Sequence, residues 1–109
     1  MSTLIRNLGV ILVAERVREY EVVIILSPEA TEDEISTSVE RIDGLITDGG
    51  GTVGERESWG LKRLSYPIKG FKEGNYFLTK FSMTPDGIEE LNRIFTGSED
   101  IVRFLITRT

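Results

Sequence analysis

The groups in this chain that could do chemistry are mainly cations suited to binding phosphate. Between Arg56 and Lys80 the sequence places six bases against two acids: Arg56, Lys62, Arg63, Lys69, Lys72 and Lys80 against Glu57 and Glu73. Between Glu29 and Asp43 six acids face only Arg41. Although the net charge of the 109 residues is −5, this distribution predicts a dipolar molecule with one side suited to RNA. The alternative is a mixed, solvated surface.

Enzymatic chemistry has little support in the residue types. The chain has no Cys and no His, which excludes thiolate zinc sites, disulfides and cysteine nucleophiles and removes the commonest general base. The acid pairs Glu32/Glu34 and Glu89/Glu90 lie on predicted helix surfaces, with no base or nucleophile beside them. The run Gly49–Gly51 lacks the Lys-Ser/Thr of a phosphate-binding loop. We therefore predict a protein that is not an enzyme and uses no cofactor or metal.

Periodicity and capping signals predict the elements that carry these charges. Thr31 and Glu34 form a capping-box pattern, Gly49–Gly51 ends that helix, and Thr84-Pro85 starts a second one. The predicted order is strand Tyr20–Leu26, helix from Thr31, strand from about Thr52 through Arg56–Trp59, loop Lys69–Gly74, strand Tyr76–Met83, helix from Thr84 to Gly97, and strand Ile101–Thr107.

The order βαββαβ indicates an α+β, ferredoxin-like domain, in which two helices cover one face of a four-stranded antiparallel sheet. Side-chain alternation along the strands then sorts residues between the two faces. We expect Phe77, Phe81, Phe104 and Ile106 beneath the helices. The open face is expected to carry Val23, Ile25, Leu78, Lys80, Arg103 and Leu105, a half-apolar and half-cationic surface that suits a binding partner.

One segment carries a family resemblance: Gly60-Leu-Lys-Arg-Leu-Ser-Tyr-Pro-Ile-Lys69. It resembles the signature of the bacterial small-subunit ribosomal protein S6 family, and Arg18–Val22 and Gly74–Leu78 resemble other parts of that family. The resemblance implies a non-enzymatic protein of the cytoplasmic ribosome. It also implies binding to the central domain of 16S ribosomal RNA together with small-subunit ribosomal protein S18.

The resemblance and the charge pattern together nominate site residues. The candidates for RNA binding are Arg18, Lys62, Arg63, Lys72, Lys80, Arg103 and Arg108, and those for a partner interface are Trp59, Leu61 and Tyr66. Adjacent strand residues point to opposite faces, so Lys62 and Arg63 are expected to serve different surfaces. Alternatively, the two cations protect an edge strand from aggregation, and Trp59 and Tyr66 cap the end of the sheet.

Two further interpretations remain. A ferredoxin-like fold also hosts regulatory or metabolite-binding modules, which is the alternative function. Residues 1–17 have no recognisable counterpart in the family, whereas residues 18–109 form the S6-like domain. That extension is either an added strand or arm, or an upstream extension of the reading frame with the true start at Val17; we expect the second.

Overall fold

In the computed structural model, which describes residues 16–109, strands and helices follow the predicted order. The elements are β1 (Arg18–Leu26), α1 (Glu32–Asp48), β2 (Thr52–Ile68), β3 (Phe71–Met83), α2 (Pro85–Thr96) and β4 (Ile101–Arg108). The predicted extension, apart from Arg16 and Val17, lies outside the described residues, so its interpretation stays a prediction.

Both helices begin and end where the sequence predicts. The Thr31 hydroxyl accepts from the Glu34 backbone N–H at 3.2 Å, and the Thr31 backbone N–H donates to the Glu34 carboxylate at 2.8 Å, completing the capping box. Thr84 caps α2 with Pro85 at its first position, and Gly97 follows its last residue. These local signals were strong enough to be read without tertiary information.

The sheet is antiparallel with strand order β2-β3-β1-β4, and both helices cover one face. The main core includes Val22, Ile24, Ile46, Leu91 and Phe95, all at most 2% exposed. The residues predicted beneath the helices belong to it: Phe81 is buried, and Phe77, Phe104 and Ile106 pack against it while partly exposed.

The β2–β3 connection corrects the sequence interpretation. Strand β2 continues through the signature to Ile68, and β3 begins at Phe71, so the predicted loop Lys69–Gly74 is wrong. Only Lys69 and Gly70 form the turn, with φ of 51° and 85°, the pattern of a tight two-residue hairpin turn. Gly74 is a strand residue whose lack of a Cβ serves close packing: a Cβ there would lie 2.3 Å from Ile25 Cγ2.

The open face, the side of the sheet away from the helices, also differs from expectation. We define the distal hairpin as residues 60–75, the far half of the β2–β3 ladder. It curls over this face and forms a second apolar cluster, in which Leu64 meets Ile25 and Val102. Ile25, expected on the open surface, is therefore only 7% exposed. Parity assigns a side chain to a face, but it does not reveal that a neighbouring hairpin covers that face.

Candidate RNA and protein interface

The distal hairpin concentrates free positive charge. Its cations are Lys62, Arg63, Lys69 and Lys72, all exposed, and its single acid is Glu73. Within residues 16–109 none of these four cations forms an ion pair. Lys62, Arg63 and Lys72 lie on the two strands of a ladder whose root is packed against the sheet, and Lys69 lies in its tight two-residue turn, so their spacing is not set by a long flexible loop. Such an array can neutralise several phosphates at once.

Lys62 and Arg63 occupy opposite faces of this ladder, as predicted. Lys62 pairs with Gly74 and Arg63 with Glu73, which are successive positions in β3. The two cations therefore cannot bind the same flat surface. One of them can contact RNA while the other meets a different strand of RNA or a protein neighbour.

Lys62 is part of a layered stack on the open face. Its Nζ lies 5.5 Å from the centroid of the Trp59 ring, and that ring stacks on Tyr76 with centroids 6.4 Å apart. The Trp59 indole N–H donates to the Glu57 carboxylate at 3.0 Å. A β-bulge between Ser58 and Gly60, where Gly60 has φ 75°, brings Trp59 and Lys62 to one side. The stack leaves Trp59 40% exposed.

Arg103 and Tyr66 bind each other. Arg103 Nη1 donates to the Tyr66 hydroxyl at 2.6 Å, and the guanidinium lies 5.9 Å from the Tyr66 ring centroid. Close by, Lys69 Nζ donates to the Ile101 carbonyl at 3.5 Å. These contacts join the tip of the distal hairpin to β4. The Arg103 and Tyr66 side chains are both exposed. Because Arg103 was nominated for RNA binding and Tyr66 for a partner interface, their contact joins the two predicted surfaces.

Three nominated cations lie away from the distal hairpin. Lys80 is 3.8 Å from the Glu55 carboxylate and pairs across the sheet with Glu21. Arg18 and Arg108 lie at the end of the sheet opposite the hairpin turn, opposite Met83 and Tyr20 in their ladders. The structure thus groups Lys62, Arg63, Lys72 and Arg103, and separates Arg18, Lys80 and Arg108 from them.

The partner candidates are also divided. Trp59 and Tyr66 belong to the open-face side, whereas Leu61 pairs with Asn75 on the other side of the ladder. Leu61 and Tyr66 are 54% and 56% exposed. A single flat partner surface therefore includes Trp59 and Tyr66 without Leu61, unless the partner wraps around the edge of β2.

Other cations in the sequence serve the fold. Arg56 ion-pairs with Asp43 of α1 and donates to Thr79 Oγ1 at 3.2 Å. Arg41 donates to Asp100 at 2.6 Å. Burial of Asp100 raises its pKa, but hydrogen bonds from Arg41 and Ser38 and the charge of Arg41 outweigh it, so the pKa lies below its usual 3.8. A charge count along the sequence does not distinguish these structural arginines from free cations.

Sequence reasoning missed two members of the site. Lys69 was not among the nominated residues, although it lies in the turn of the distal hairpin that carries Lys62. Tyr76 supports the Trp59 ring, a role that depends on the bulge and cannot be read from strand parity.

Residues 16–109 contain neither a candidate metal site nor a helix able to span a membrane. That range contains no group of three or more Asp, Glu, His or Cys side chains arranged to hold a metal ion. None of its helices has the length and apolarity to cross a membrane.

Comparison with known proteins gives a consistent result. The model of the family described as Ribosomal protein S6 matches residues 19–108. The small ribosomal subunit protein bS6 of Moorella thermoacetica is 41% identical over 84% of this chain and 93% of its own length. That of Caldanaerobacter subterraneus subsp. tengcongensis is 38% identical over 84% and 97%. The crystal structure of 30S ribosomal protein S6 from Thermotoga maritima superposes with a TM-score of 0.80 at 28% identity, covering 86% of this chain and 89% of that one.

Proposed function

Since the chain belongs to the ribosomal protein S6 family, we propose that it binds the central domain of 16S ribosomal RNA together with ribosomal protein S18. As a family member it is a protein of the small ribosomal subunit with a structural rather than an enzymatic role. RNA and S18 as its specific partners are our proposal.

The exposed cations of the distal hairpin are the main support for the proposed binding to RNA. Lys62, Arg63, Lys69 and Lys72 are exposed and without ion-pair partners in the described range. Cations already paired with carboxylates gain less from phosphate, because binding must first break the existing pair. We therefore assign the phosphate contacts to these four residues ahead of Lys80, which is paired with Glu55. Arg18 and Arg108 are ranked behind them for another reason, since they lie at the opposite end of the sheet from the hairpin turn. Affinity should fall steeply as salt rises, since each neutralised phosphate releases counterions.

The protein part of the proposal rests on exposed aromatic side chains beside the cations. Trp59 and Tyr66 are 40% and 56% exposed and flank Lys62 and Arg103, their respective cation partners. Aromatic residues concentrate binding energy at protein interfaces. A protein docked along this edge would join its own cations to the hairpin and enlarge the surface offered to RNA. Binding is then reciprocal: if S18 raises affinity for RNA, RNA raises affinity for S18 by the same factor.

A salt titration tests the proposal. A central-domain fragment of 16S RNA is titrated with the protein at several salt concentrations, with and without S18. We expect tighter binding with S18 and a linear fall of log affinity with log salt. Absence of binding in both arms by a folded protein would contradict the proposal and favour the metabolite-binding alternative.

A further inference from the structure

A cleft of about 220 Å³ lies where the turn of the distal hairpin meets the first half of β4. We call it the seam cleft. Its walls come from Lys69 of the turn, from Arg103 and its neighbours in β4, and from Phe95 and Thr96 at the end of α2. Two of the lining residues are cations and none is an acid. Buried Phe95 and Ile101 form its base, so the seam cleft is a positively charged recess on an apolar floor.

A β-bulge in β4 aims Arg103 at the hairpin. The β1–β4 register shifts between Ile25 and Leu26, which leaves Val102 as an extra residue of β4. Val102 packs in the second apolar cluster beneath the hairpin, and Arg103 donates to the Tyr66 hydroxyl of that hairpin. Two consecutive residues therefore face the hairpin, whereas strict alternation would send one of them to the helix side.

Tyr66 fixes the Arg103 side chain without neutralising its charge. The phenol oxygen accepts a hydrogen bond from Nη1 at 2.6 Å, and the ring centroid lies 5.9 Å from the guanidinium. Since a guanidinium carries several N–H donors in a planar fork, most of them remain available to a ligand. Within residues 16–109 no carboxylate forms an ion pair with Arg103.

Lys69 reaches the same cleft from the hairpin turn. Its φ of 51° lies in the left-handed region, as the first position of this two-residue turn requires. Its Nζ donates to the Ile101 carbonyl oxygen at 3.5 Å, two positions before Arg103. That single long hydrogen bond leaves the other ammonium donors free, and Lys69 also has no ion pair in the described part of the chain.

Both cations are thus anchored to one short stretch of β4. Two strand residues span about 6.6 Å, and charge-assisted hydrogen bonds to phosphate are about 2.7–2.9 Å long. One phosphate group between the Lys69 ammonium and the Arg103 guanidinium can therefore accept from both. The acids that precede β4 do not compete, because Glu99 and Asp100 do not line the cleft and Asp100 is paired with Arg41.

We propose that the seam cleft binds one phosphate group, which Lys69 and Arg103 hold jointly while Tyr66 acts as a positioning residue for Arg103. The inference rests on the proposed function for the source of that phosphate, which is the RNA backbone. A polyanion would meet the seam cleft together with the other unpaired cations of the distal hairpin, whereas a lone carboxylate would gain nothing from them. RNA contact then extends beyond the hairpin onto β4.

A titration with inorganic phosphate, followed by NMR, tests the cleft without RNA. Phosphate added at constant ionic strength should shift the Arg103 Nε–H and the Lys69 amide resonances, and chloride should not. Tyr66→Phe keeps the ring and removes only the acceptor oxygen, so phosphate should bind about threefold more weakly. In an Arg103→Gln background Tyr66→Phe should have no further effect on phosphate affinity, a result that general loosening of the fold would not produce.

Salt-titrated binding of the central-domain 16S fragment, with S18 present, tests RNA as the source. Lys69→Asn removes the ammonium group and keeps a residue type that tolerates positive φ, so the turn is preserved. Lys69→Asn and Arg103→Gln should each weaken RNA binding about tenfold. The double variant should reduce the slope of log affinity against log salt by about 0.7–0.9, as for one phosphate, whereas two separate phosphates give about twice that value. Arg93→Gln on exposed α2 makes the same change in net charge and should leave RNA affinity unchanged.

The two assays separate failure of this inference from failure of the proposed function. If RNA binds the wild type, Lys69→Asn and Arg103→Gln equally, RNA as the ligand is overturned while the proposed function stands; phosphate-specific shifts would then assign the cleft to free phosphate. If RNA does not bind the wild type, the phosphate titration decides: shifts that Tyr66→Phe weakens support the cleft, and their absence overturns it. Equal shifts with acetate and phosphate would overturn the inference in favour of a carboxylate ligand.

Discussion

Gly74 allows a sharp test of how the distal hairpin is held. An added Cβ would lie 2.3 Å from Ile25 Cγ2 and 3.2 Å from the Leu26 carbonyl oxygen. Ile25 is β-branched, so its methyl cannot easily turn away, and it is confined by Leu64 and Val102. Overpacking of this kind costs about 1–3 kcal/mol. We expect Gly74→Ala to lower the midpoint of thermal unfolding by roughly 4–8 °C per kcal/mol lost.

The same substitution at Gly44 is the matched control. Nothing lies within 4 Å of a Cβ at Gly44, which is in the interior of α1, so Gly44→Ala should stabilise the protein by about 0.5–1 kcal/mol. Chemical denaturation measures both changes.

A double-mutant cycle then identifies the contact. In an Ile25→Ala background the Cγ2 methyl is gone, so most of the cost of Gly74→Ala should disappear, with a coupling of at least about 1 kcal/mol. Full additivity, or a Gly74→Ala protein as stable as the wild type, would refute the close approach of the hairpin to Ile25.

Three other predictions concern a cap, an ion pair and the charge array. Thr31→Ala should cost about 1 kcal/mol of stability in urea unfolding, because the Glu34 N–H loses its acceptor. The Asp100 pKa is lowered in the folded state, so its contribution is complete above the unfolded pKa and is lost as pH falls through the folded pKa; Asp100→Asn should flatten this acid-side loss of melting temperature. Lys62→Ala should reduce the slope of log RNA affinity against log salt by about 0.7–0.9, whereas Lys80→Ala should leave that slope unchanged.

Local signals predicted much of this fold. The capping box at Thr31, the Thr84-Pro85 start and the glycines after each helix depend on neighbours within four residues, and each lies where predicted. Strand parity also placed Phe81 beneath the helices and Leu105 on the open face. Such features need only the geometry of one element.

The position of the distal hairpin over the open face depends on contacts between residues far apart in the sequence, so local patterns could not predict it. Gly74 was assigned to a loop because the segment contains two glycines, which are common in turns, whereas in the structure the missing Cβ of Gly74 lets β3 approach Ile25. Arg103 was nominated for RNA binding from the family resemblance, and its hydrogen bond to the Tyr66 hydroxyl, 37 positions away, could not be predicted from local sequence. The residue types indicated that a binding surface exists. Which cations lie together on the distal hairpin and which lie elsewhere on the sheet depends on strand register and on β-bulges, which the sequence pattern does not reveal.

The most direct test of the central claim compares two triple variants of equal net charge. One removes hairpin cations (Lys62→Ala, Arg63→Ala, Lys72→Ala), and the other removes the separate cations (Arg18→Ala, Lys80→Ala, Arg108→Ala). Affinity for the central-domain 16S fragment is measured with S18 present at one salt concentration. Our account predicts a loss of at least about 100-fold for the hairpin variant and little change for the other, since lost phosphate contacts multiply. Equal losses, or a greater loss for the second variant, would contradict the assignment of RNA binding to the distal hairpin.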